Sequence, residues 1–418
     1  VGLSFRAIAR NLCSPRRRIS QSPKNGSFEM TIPPEIRNDR KRQRYPMKIL
    51  SVIGTRPEAV KMAPVVRKLR ETPGIESVVC ATAQHRQMLD QVLDLFDITP
   101  DIDLDLMKPN QTLAGITAAI FERLDPVLAS VKPDWVLAQG DTTTVMATAL
   151  LSYYHRIRFG HVEAGLRTGD KFQPFPEEVN RMVAGVAADL HFAPTEWSKD
   201  NLLKENVPAE RIVVTGNPVI DALQTVSAME PDSATKALLA ELGLTGESAP
   251  RLVLVTAHRR ENFGAPLESI CRAIRILSEH YGNAVRFVYP VHLNPNVQNV
   301  AYPMLGNLPN VHLLPPLDYL PMVQLMKRSA LVLTDSGGLQ EEAPGLGAPV
   351  LVMRETTERP EGVAAGTVRL VGTDEEKIVS EARLLLDNPA EHEKMARAVN
   401  PYGDGQASAR IVQALLGF

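Results

Sequence analysis

The sequence is poor in cysteine and has no long apolar segment. Its three cysteines, Cys13, Cys80 and Cys271, are far apart and form no CxxC pair. This pattern argues against a disulfide framework and against a zinc site, and it fits a reducing cytoplasmic compartment. No apolar run reaches the roughly 18 residues that a membrane-spanning helix needs. We therefore expect a cytoplasmic globular protein without a bound metal.

Two common nucleotide-binding motifs are also missing. No G-x-G-x-x-G follows the first predicted strand, and no P-loop occurs in the chain. The first absence argues against a dinucleotide cofactor, and the second argues against P-loop phosphate chemistry.

Charge is unevenly distributed along the chain. Residues 1–46 hold 11 Lys or Arg and 3 Asp or Glu, a net charge of +8, so residues 47–418 carry −10 when the whole chain carries −2. An acidic body is a poor nucleic-acid binder. An anionic ligand would have to be held by a few local cations and backbone dipoles.

The first 46 residues differ in kind from the rest, with basic runs at 16–18 and 40–44 and little apolar periodicity. Three interpretations are open: a translated upstream or vector-derived segment, a disordered basic tail, or a transit-like leader. We favour the first two, because Met47 opens a well-formed strand.

From Met47 onward, strand-like runs alternate with helix-like runs, and the alternation starts again near residue 252. This pattern predicts parallel sheets with helices on both faces. Because 418 residues exceed the usual size of one core, we predict two doubly wound, Rossmann-like α/β domains at 47–216 and 217–401. The predicted strands are 48–53, 77–81, 135–138, 158–162, 252–256, 286–289, 331–334 and 350–352. Ligands of such sheets bind beyond the carboxyl ends of the strands.

The most informative segment is LVLTDSGGLQEEAPGLG at 331–347, which joins a strand to a helix through Ser336, Gly337 and Gly338. A glycine turn at a helix start presents free N–H groups and the positive end of the helix dipole, which suits phosphate. Glu342, one turn into the helix, is placed to accept hydrogen bonds from sugar hydroxyls. The alternative is an ordinary strand–helix turn in which Glu341 and Glu342 are solvated.

A second turn, GTRPE at 54–58, places Arg56 just past the first strand. Its forked guanidinium suits a phosphate, and Pro57 suits the first position of the next helix. Alternatively, Arg56 pairs with Glu58 or Glu163. We interpret Lys61, one turn further on, as a structural partner.

Two strand ends carry carboxylates, Asp141 in QGDTTT and Glu163 in HVEAGLR. If they face each other across neighbouring strands they form a like-charge pair, which raises the pKa of one member and suits general acid–base work. The alternatives are that Asp141 caps a helix and that Glu163 pairs with Arg167.

Three further charged turns are candidates. Glu177 and Arg181 share a helix face in PFPEEVNR, where proline takes the first helical position and an ordinary stabilising pair is the alternative. His258 follows a strand in AHRREN and is suited to bind phosphate or move a proton, unless the turn is merely capped and solvated. Arg359, in ETTERPE, is placed to close over the same phosphates as Ser336, unless it lies in a surface loop.

Together these segments resemble the non-hydrolysing UDP-N-acetylglucosamine 2-epimerases of the bacterial type. Nine strings match in family order and cover nearly all of residues 47–375: GTRPEAVK (54–61), TAQHRQMLDQVL (82–93), QGDTTT (139–144), HVEAGLRTGD (161–170), PFPEEVNR (174–181), TGNPVIDAL (215–223), TAHRREN (256–262), TDSGGLQEEAP (334–344) and TTERPEGV (356–363).

The resemblance implies two Rossmann-like domains around a deep cleft, as in B-type glycosyltransferases. It also implies that a C-terminal helix at about 402–418 crosses back to the first domain. It assigns catalysis to Asp141, Glu163, Glu177 and His258. It assigns substrate binding to Arg56, Lys61, Arg181, Met322, Ser336, Gly337, Gly338, Glu342 and Arg359, with the diphosphate on 336–338 and the ribose on Glu342.

The family reaction inverts carbon 2 of the sugar and gives UDP-N-acetylmannosamine, by elimination of UDP to a 2-acetamidoglucal and re-addition. One carboxylate removes the C2 proton and another returns a proton from the opposite face, while cations and helix-end N–H groups stabilise the leaving diphosphate. The scheme requires no cofactor and no metal. The resemblance further implies domain closure, a homodimer, and a place in cell-surface polysaccharide synthesis.

Bacterial members often bind a second UDP-N-acetylglucosamine as an activator. Gln84, Gln87, Arg259 and His292 match positions tied to that site, so we predict allosteric activation by the substrate. Leu317 and Met322 stand where some relatives have a glutamine and a phenylalanine near the uracil.

Three other functions remain open at this point. A hydrolysing relative would release free N-acetylmannosamine and UDP from the same cleft. A retaining B-type glycosyltransferase needs an acceptor groove and often a membrane-facing patch, and the acidic body argues against it. A nucleotide-sugar-binding regulator without turnover would have no need of Asp141, Glu163 and Glu177.

Overall fold

The chain builds two parallel β-sheets by repeated strand–helix alternation. The computed structural model describes residues 46–82, 86–106, 111–246 and 248–418, and not the side chains of 86–88. The predictions for the basic segment and for Gln84 therefore lie outside the described residues, as does the prediction for the side chain of Gln87.

The first sheet has seven parallel strands among the described residues. They are β1 (Met47–Ile53), β2 (Ile75–Ala81), β3 (Ile102–Asp103), β4 (Trp135–Gln139), β5 (Arg158–Val162), β6 (Leu190–Ala193) and β7 (Ile212–Val214). The interleaved helices are α1 (Arg56–Glu71), α2 (Arg86–Leu95), α3 (Leu113–Val131), α4 (Thr143–His155), α5 (Glu177–Ala187) and α6 (Glu196–Lys204). The strand order is β3-β2-β1-β4-β5-β6-β7.

The second sheet has six parallel strands in the described part of the chain. They are β8 (Arg251–Thr256), β9 (Val285–Pro290), β10 (Val311–Leu314), β11 (Ser329–Thr334), β12 (Val350–Val352) and β13 (Val368–Leu370). The remaining helices are α7 (Pro218–Ser227), α8 (Ser233–Glu241), α9 (Ala265–Tyr281), α10 (Pro295–Leu305), α11 (Tyr319–Arg328), α12 (Gly337–Glu342), α13 (Pro360–Ala365), α14 (Glu375–Asp387), α15 (Pro389–Ala396) and α16 (Ala407–Gly417). The strand order is β10-β9-β8-β11-β12-β13.

Both sheets reverse their strand order at the centre, between β1 and β4 and between β8 and β11. Such a switch point leaves a crevice beyond the carboxyl ends of the strands, where ligands of doubly wound sheets bind. The two predicted doubly wound α/β units are confirmed. Every polar cluster that the sequence analysis selected lies at this edge of one sheet or the other.

The central strands are buried along nearly their whole length. In β4, Trp135 to Gln139 are all buried, because helices cover both faces of the sheet. Burial of each large apolar side chain contributes about 1.5–3 kcal/mol to stability. Among the described residues, no helix is long and apolar enough to cross a membrane.

The chain passes from the first sheet to the second just after β7 and returns near its end. At the first crossing, Gly216 has a φ of +85°, and a Cβ there would lie 3.3 Å from the Cα of Gly403 on the returning segment. The backbone N–H of Asn217 donates to the carbonyl of Tyr402 at 2.7 Å. Helix α16 then packs against α1 and α7. We keep the division at residue 216, with 402–418 assigned to the first domain, as a proposal.

Candidate active site

Glu163 lies at the carboxyl end of β5 and is the most densely contacted carboxylate of the site. Lys61 of α1 donates to its two oxygens at 2.6 and 2.8 Å. The Gln139 amide also donates to Oε2, and the Asn217 amide donates to Oε1 at 3.2 Å. Glu163 itself has a φ of +63°. A non-glycine residue held in this conformation at a site is supported by its surroundings.

Glycine at position 165 lets the loop after Glu163 pack tightly. Gly165 has a φ of +89°, and a Cβ there would lie 2.2 Å from the carbonyl oxygen of Ser198 in α6. Only glycine fits both the backbone conformation and this close approach.

The charges nearest to Glu163 are cations, and not the carboxylate of Asp141 that the expected like-charge pair requires. Burial would raise the pKa of Glu163, but the nearby Lys61 ammonium and Arg359 guanidinium outweigh burial and hold it below its ordinary value. The alternative pairing of Glu163 with Arg167 is also wrong, because Arg167 binds Glu205 at 2.6 Å. Glu163 is therefore an ionised carboxylate fixed by cations and amides.

Asp141 is fixed by Arg181, which reaches it from α5. The guanidinium lies 2.5 Å from Oδ2 of Asp141 and 3.1 Å from Oε2 of Glu178. The expected ion pair of Arg181 with Glu177 is wrong, because Glu178 lies on the buried face of the helix and takes that place. Asp141 does not cap α4 either, since Thr142 does so through Val145 N–H.

Glu177 begins α5 and follows Pro176, which is the cap residue and not the first helical residue. It is half-buried, and its carboxylate has no hydrogen bond or ion pair to another residue in the described ranges. Unlike Glu163 and Asp141, Glu177 is thus not already engaged by a cation of the protein.

The glycine turn of the second sheet is covered by Arg359. A Cβ on Gly337 would lie 3.1 Å from Cζ of Arg359, so glycine allows the guanidinium to lie against the turn. Arg359 is bound by Glu341 at 2.5 Å and by Glu358 at 3.2 Å. The surface-loop alternative for Arg359 is wrong, because its side chain is only 12% exposed.

Ser336 and the two glycines have the geometry expected of a helix start. Ser336 is the cap residue of α12, and its hydroxyl makes no capping bond. Its backbone N–H donates to Thr334 Oγ1 at 2.9 Å. Gly337 and Gly338 then form the first turn. Because the Ser336 hydroxyl makes no capping bond, it is available to a ligand.

Glu342 is buried and hydrogen-bonded to a tyrosine that sequence reasoning missed. The hydroxyl of Tyr319, the first residue of α11, donates to Oε2 of Glu342 at 2.8 Å. Burial raises the pKa of Glu342 to about 7, although this hydrogen bond acts in the opposite sense. The alternative, in which Glu341 and Glu342 are solvated, is wrong for both. Met322, on the same helix as Tyr319, is half-buried against the core.

His258 lies above a buried aspartate at the end of β11. Oδ2 of Asp335 accepts from the backbone N–H groups of His258 and Arg259, each at 2.8 Å, and Oδ1 lies 3.6 Å from Nδ1 of His258. The His258 ring stacks on His292 at 5.4 Å. Burial lowers the pKa of His258, and Asp335 opposes that effect. The turn is therefore built on a carboxylate and is not merely solvated.

The residues expected to bind an activator are only partly described. The guanidinium of Arg259 lies 3.4 Å from Glu358, and His292 forms the stack with His258. The backbone of Gln87 lies in α2. Arg259 and His292 therefore border the same part of the cleft as Arg359.

Arg56 links the two sheets. Its guanidinium donates to the carbonyl of Leu317 at 3.2 Å, so the alternative pairings with Glu58 and Glu163 are wrong. Glu58 is instead buried and accepts from the N–H of Gly54 at 2.6 Å. A cavity of about 600 Å³ opens beside Arg56, and Leu317, Tyr319 and Leu95 are among the residues that line it.

Sequence reasoning missed the group that joins the two halves of the site. The amide of Asn217 donates to Glu163 at 3.2 Å and to Glu341 at 2.7 Å. Since Lys61 binds Glu163 and Arg359 binds Glu341, one hydrogen-bonded network connects the strand ends of both sheets. The matching string TGNPVIDAL contains Asn217 but gives it no role, because its residue type is also that of an ordinary helix cap.

Comparisons with known proteins agree with this arrangement. A family model described as UDP-N-acetylglucosamine 2-epimerase matches residues 67–416. The UDP-N-acetylglucosamine 2-epimerase of Salmonella typhimurium is 57% identical over 373 residues, which are 89% of this chain and 99% of that protein. The crystal structure of the Neisseria meningitidis UDP-GlcNAc 2-epimerase bound to UDP-GlcNAc aligns with a TM-score of 0.83 at 50% identity, covering 89% of this chain and all of that one.

A more distant structure bears on the fold alone. A glycosyltransferase from Rickettsia africae, at 12% identity, aligns over 88% of this chain and 97% of its own with a TM-score of 0.57. This likeness supports the expected B-type glycosyltransferase fold. Because the family model spans most of the sequence and the relatives are matched over nearly their full length, the chain belongs to the UDP-N-acetylglucosamine 2-epimerase family.

Proposed function

We propose that this enzyme interconverts UDP-N-acetylglucosamine and UDP-N-acetylmannosamine by eliminating UDP to a 2-acetamidoglucal and adding it back. The observation that carries the proposal is the joined site. Glu163 at a strand end of the first sheet and Arg359 beside the glycine turn of the second belong to one buried network, through Asn217 and Glu341. Elimination needs both, a group that takes a proton and a group that accepts a leaving diphosphate.

The second sheet supplies the leaving-group side. The diphosphate is expected against Ser336, Gly337 and Gly338, where N–H groups at a helix start are available and Arg359 lies alongside. As the C1–O bond breaks, its electron pair goes to the diphosphate, and Arg359 and Arg56 stabilise the growing charge. Arg359 must then exchange part of its contact with Glu341 and Glu358 for phosphate oxygens.

The first sheet supplies the proton side. Removal of the C2 proton and its return from the opposite face require two groups, and Asp141, Glu163 and Glu177 are the candidates. Glu163 is ionised and fixed, which suits a proton acceptor, whereas Glu177 has no ion pair within the described residues.

The nucleoside is expected on α11 and α12. Glu342, held by Tyr319, is suited to accept hydrogen bonds from the ribose. The cavity beside Arg56, with Leu317 in its wall, offers an apolar surface for the base. Leu317 has no side-chain donor, so contacts to the base at this position come from its backbone, and Met322 lies on the adjacent helix.

Incubation with UDP-N-acetylglucosamine in deuterated water tests the proposal. We expect deuterium at C2 in both epimers, because the proton is lost and regained during the reaction. Accumulation of free N-acetylmannosamine and UDP would instead favour a hydrolysing enzyme, and absence of turnover would favour a binding protein. In the variant Asp141→Asn, exchange should be abolished while UDP affinity is largely kept; equal loss of both would make Asp141 structural.

We also propose that UDP-N-acetylglucosamine activates the enzyme at a second position beside the cleft. Arg259 and His292 support this idea, because they border the Arg359 side of the site. Initial rates in the direction of UDP-N-acetylglucosamine formation test it. Without added UDP-N-acetylglucosamine the rate should show a lag, which a small amount of that compound removes in the wild type but not in Arg259→Ala.

A homodimer through α4 and α5 is the third part of the proposal. These adjacent helices expose a broad apolar surface, which a single protein chain seldom leaves uncovered. The surface consists of Tyr153 and Tyr154 on α4 and Val179, Met182 and Val186 on α5. The opposite face of α5 carries Arg181, so an interface there would also support the site.

A further inference from the structure

We propose that Asn217 is a positioning residue for the epimerase reaction, which sets the orientation and charge of Glu163 through its side-chain amide. The inference rests on the proposed function, since it assigns Glu163 a role in proton transfer. Asn217 does not lie at the strand ends that carry Asp141 and Glu163, and its residue type suggests only a helix cap. Its place between two buried carboxylates gives it this further role.

The backbone and the carbonyl side of Asn217 are fixed by the chain crossing. Its N–H donates to Tyr402 O at 2.7 Å, and its Oδ1 accepts from Val219 N–H at 3.2 Å as the cap of α7. The side chain is buried. Because Oδ1 is turned toward Val219 N–H, the amide nitrogen points away from α7.

That direction is toward Glu163 and Glu341. Nδ2 carries two hydrogens, and it donates one to Oε1 of Glu163 at 3.2 Å and the other to Oε2 of Glu341 at 2.7 Å. One amide group therefore bridges two buried carboxylates, Glu163 after β5 and Glu341 on α12. Because Glu341 also binds Arg359, movement of Arg359 toward a diphosphate is transmitted to the proton-transfer side.

The charge of Glu163 depends on groups from several elements. The charged or titratable groups facing it are Lys61 on α1, His161 on β5, Arg181 on α5, Glu341 on α12 and Arg359 before α13. A hydrogen bond donated to the ionised form of a carboxylate lowers its pKa, and loss of the donor raises it. Without the Asn217 amide, Glu163 must therefore become easier to protonate.

Two substitutions separate the site role from the cap role. Serine and aspartate cap helices about as well as asparagine, so Asn217→Ser and Asn217→Asp keep the acceptor for α7. Serine cannot reach both carboxylates with a donor. Aspartate has the same shape but places a third carboxylate where the donor stood. The matched control is Asn310→Ser, which removes the hydrogen bonds that a buried amide just before β10 donates to the carbonyls of Ser278, Gly282 and Val285, none of which belongs to the site.

The test measures kcat against pH, the UDP dissociation constant and thermal unfolding for all three variants and the wild type. For Asn217→Ser we expect kcat to fall about 10- to 100-fold, as when a supporting shell around a reacting group is lost. The ascending limb of the pH profile should move to higher pH, and further in Asn217→Asp than in Asn217→Ser. UDP affinity should change by less than about threefold. Asn310→Ser should lower thermal stability and leave kcat and the pH profile unchanged.

Two outcomes overturn the inference. A fall in kcat with an unmoved pH limb would mean that Asn217 does not act through Glu163. Failure of both Asn217 variants to fold would assign the residue to the chain crossing alone. Neither outcome touches the proposed function, which fails only if the wild-type protein does not interconvert the two nucleotide sugars.

Discussion

Lys61 and Glu163 form a largely buried pair, with Nζ 2.6 Å from Oε2 and the side chains 15% and 3% exposed. The Lys61 pKa is raised because the attraction of Glu163 outweighs the effect of burial, so the lysine stays charged. A buried ion pair contributes little net stability compared with an apolar pair. Removal of one partner, however, leaves the other charge buried without a counter-ion.

Lys61→Gln should therefore cost about 3 kcal/mol of unfolding free energy, measured by urea denaturation at pH 7. The pKa of Glu163 lies below its ordinary value, so the pair stabilises the protein above the unfolded pKa and loses its effect as the pH falls through the folded pKa. The difference between variant and wild type should shrink accordingly in acid.

The matched control for this pair is Lys48→Gln. Lys48 lies 3.0 Å from Glu76, but both side chains are partly exposed, at 32% and 45%. Such surface pairs contribute about 0–1 kcal/mol. Equal destabilisation by the two substitutions would show that burial of the Lys61 pair has no energetic consequence.

Glu58→Gln should stabilise the protein at neutral and alkaline pH. Glu58 is buried under the turn that carries Arg56, and burial raises its pKa to about 7. Below about pH 4.5 the folded and unfolded chains both hold the proton, and between there and about pH 7 only the folded chain does. The unfolding free energy that Glu58 contributes in the wild type thus falls as the pH rises through this range, by about 1.4 kcal/mol per pH unit.

Glutamine keeps the oxygen that accepts from Gly54 N–H and has no proton to lose. The gain in unfolding free energy over the wild type should accordingly grow from pH 4.5 to pH 7 and then level off. Glu71→Gln, at the exposed end of α1, is the control and should show no such growth. A gain that is independent of pH would contradict the assignment of a buried, protonated Glu58.

Tyr319→Phe should weaken UDP binding about five- to tenfold, because it removes the hydroxyl that orients Glu342 and leaves a buried acceptor unsatisfied. Isothermal titration with UDP measures the effect. Tyr281→Phe removes a hydroxyl that binds Asp387 on an exposed helix, and UDP affinity should not change. Equal UDP affinities for Tyr319→Phe and the wild type would show that Glu342 does not bind the nucleoside.

The strands that sequence reasoning missed, β3, β6, β7, β10 and β13, have two to four residues each, which is too few to form a periodic pattern, whereas every predicted strand except β12 has five or more. β5, although it contains His161, and β12, whose three residues are all buried and apolar, were predicted to their end residues. Within their few residues β6 and β13 also carry a polar side chain, His191 and Arg369, which weakens the apolar signal further.

The site was predictable where one motif carries both the residue and its position. Arg56, Asp141, Glu163 and Arg359 each follow a strand, so the edge on which they meet follows from parallel topology. Their partners did not follow. Lys61 binds Glu163 across 102 positions and Asn217 binds Glu341 across 124. Such pairings depend on packing between elements, which a single sequence does not encode locally.

The apolar surface of α4 and α5 leads to the last prediction. Val186 is 91% exposed on the last turn of α5, and Tyr153 on α4 is 69% exposed. A charge at Val186 in a buried interface would be left without a partner, so Val186→Glu should convert a dimer into a monomer. Light scattering coupled to gel filtration measures the mass of each species.

Val399→Glu is the matched control, because Val399 is 83% exposed in the segment after α15, away from α4 and α5. This variant should keep the mass of the wild type. Because Arg181 and its partner Asp141 depend on the position of α5, the monomeric Val186→Glu should also lose activity while retaining UDP affinity on the second sheet. A wild-type protein that is monomeric at micromolar concentration would refute the proposed interface. If Val186→Glu is still a dimer, the dimer must form through another surface.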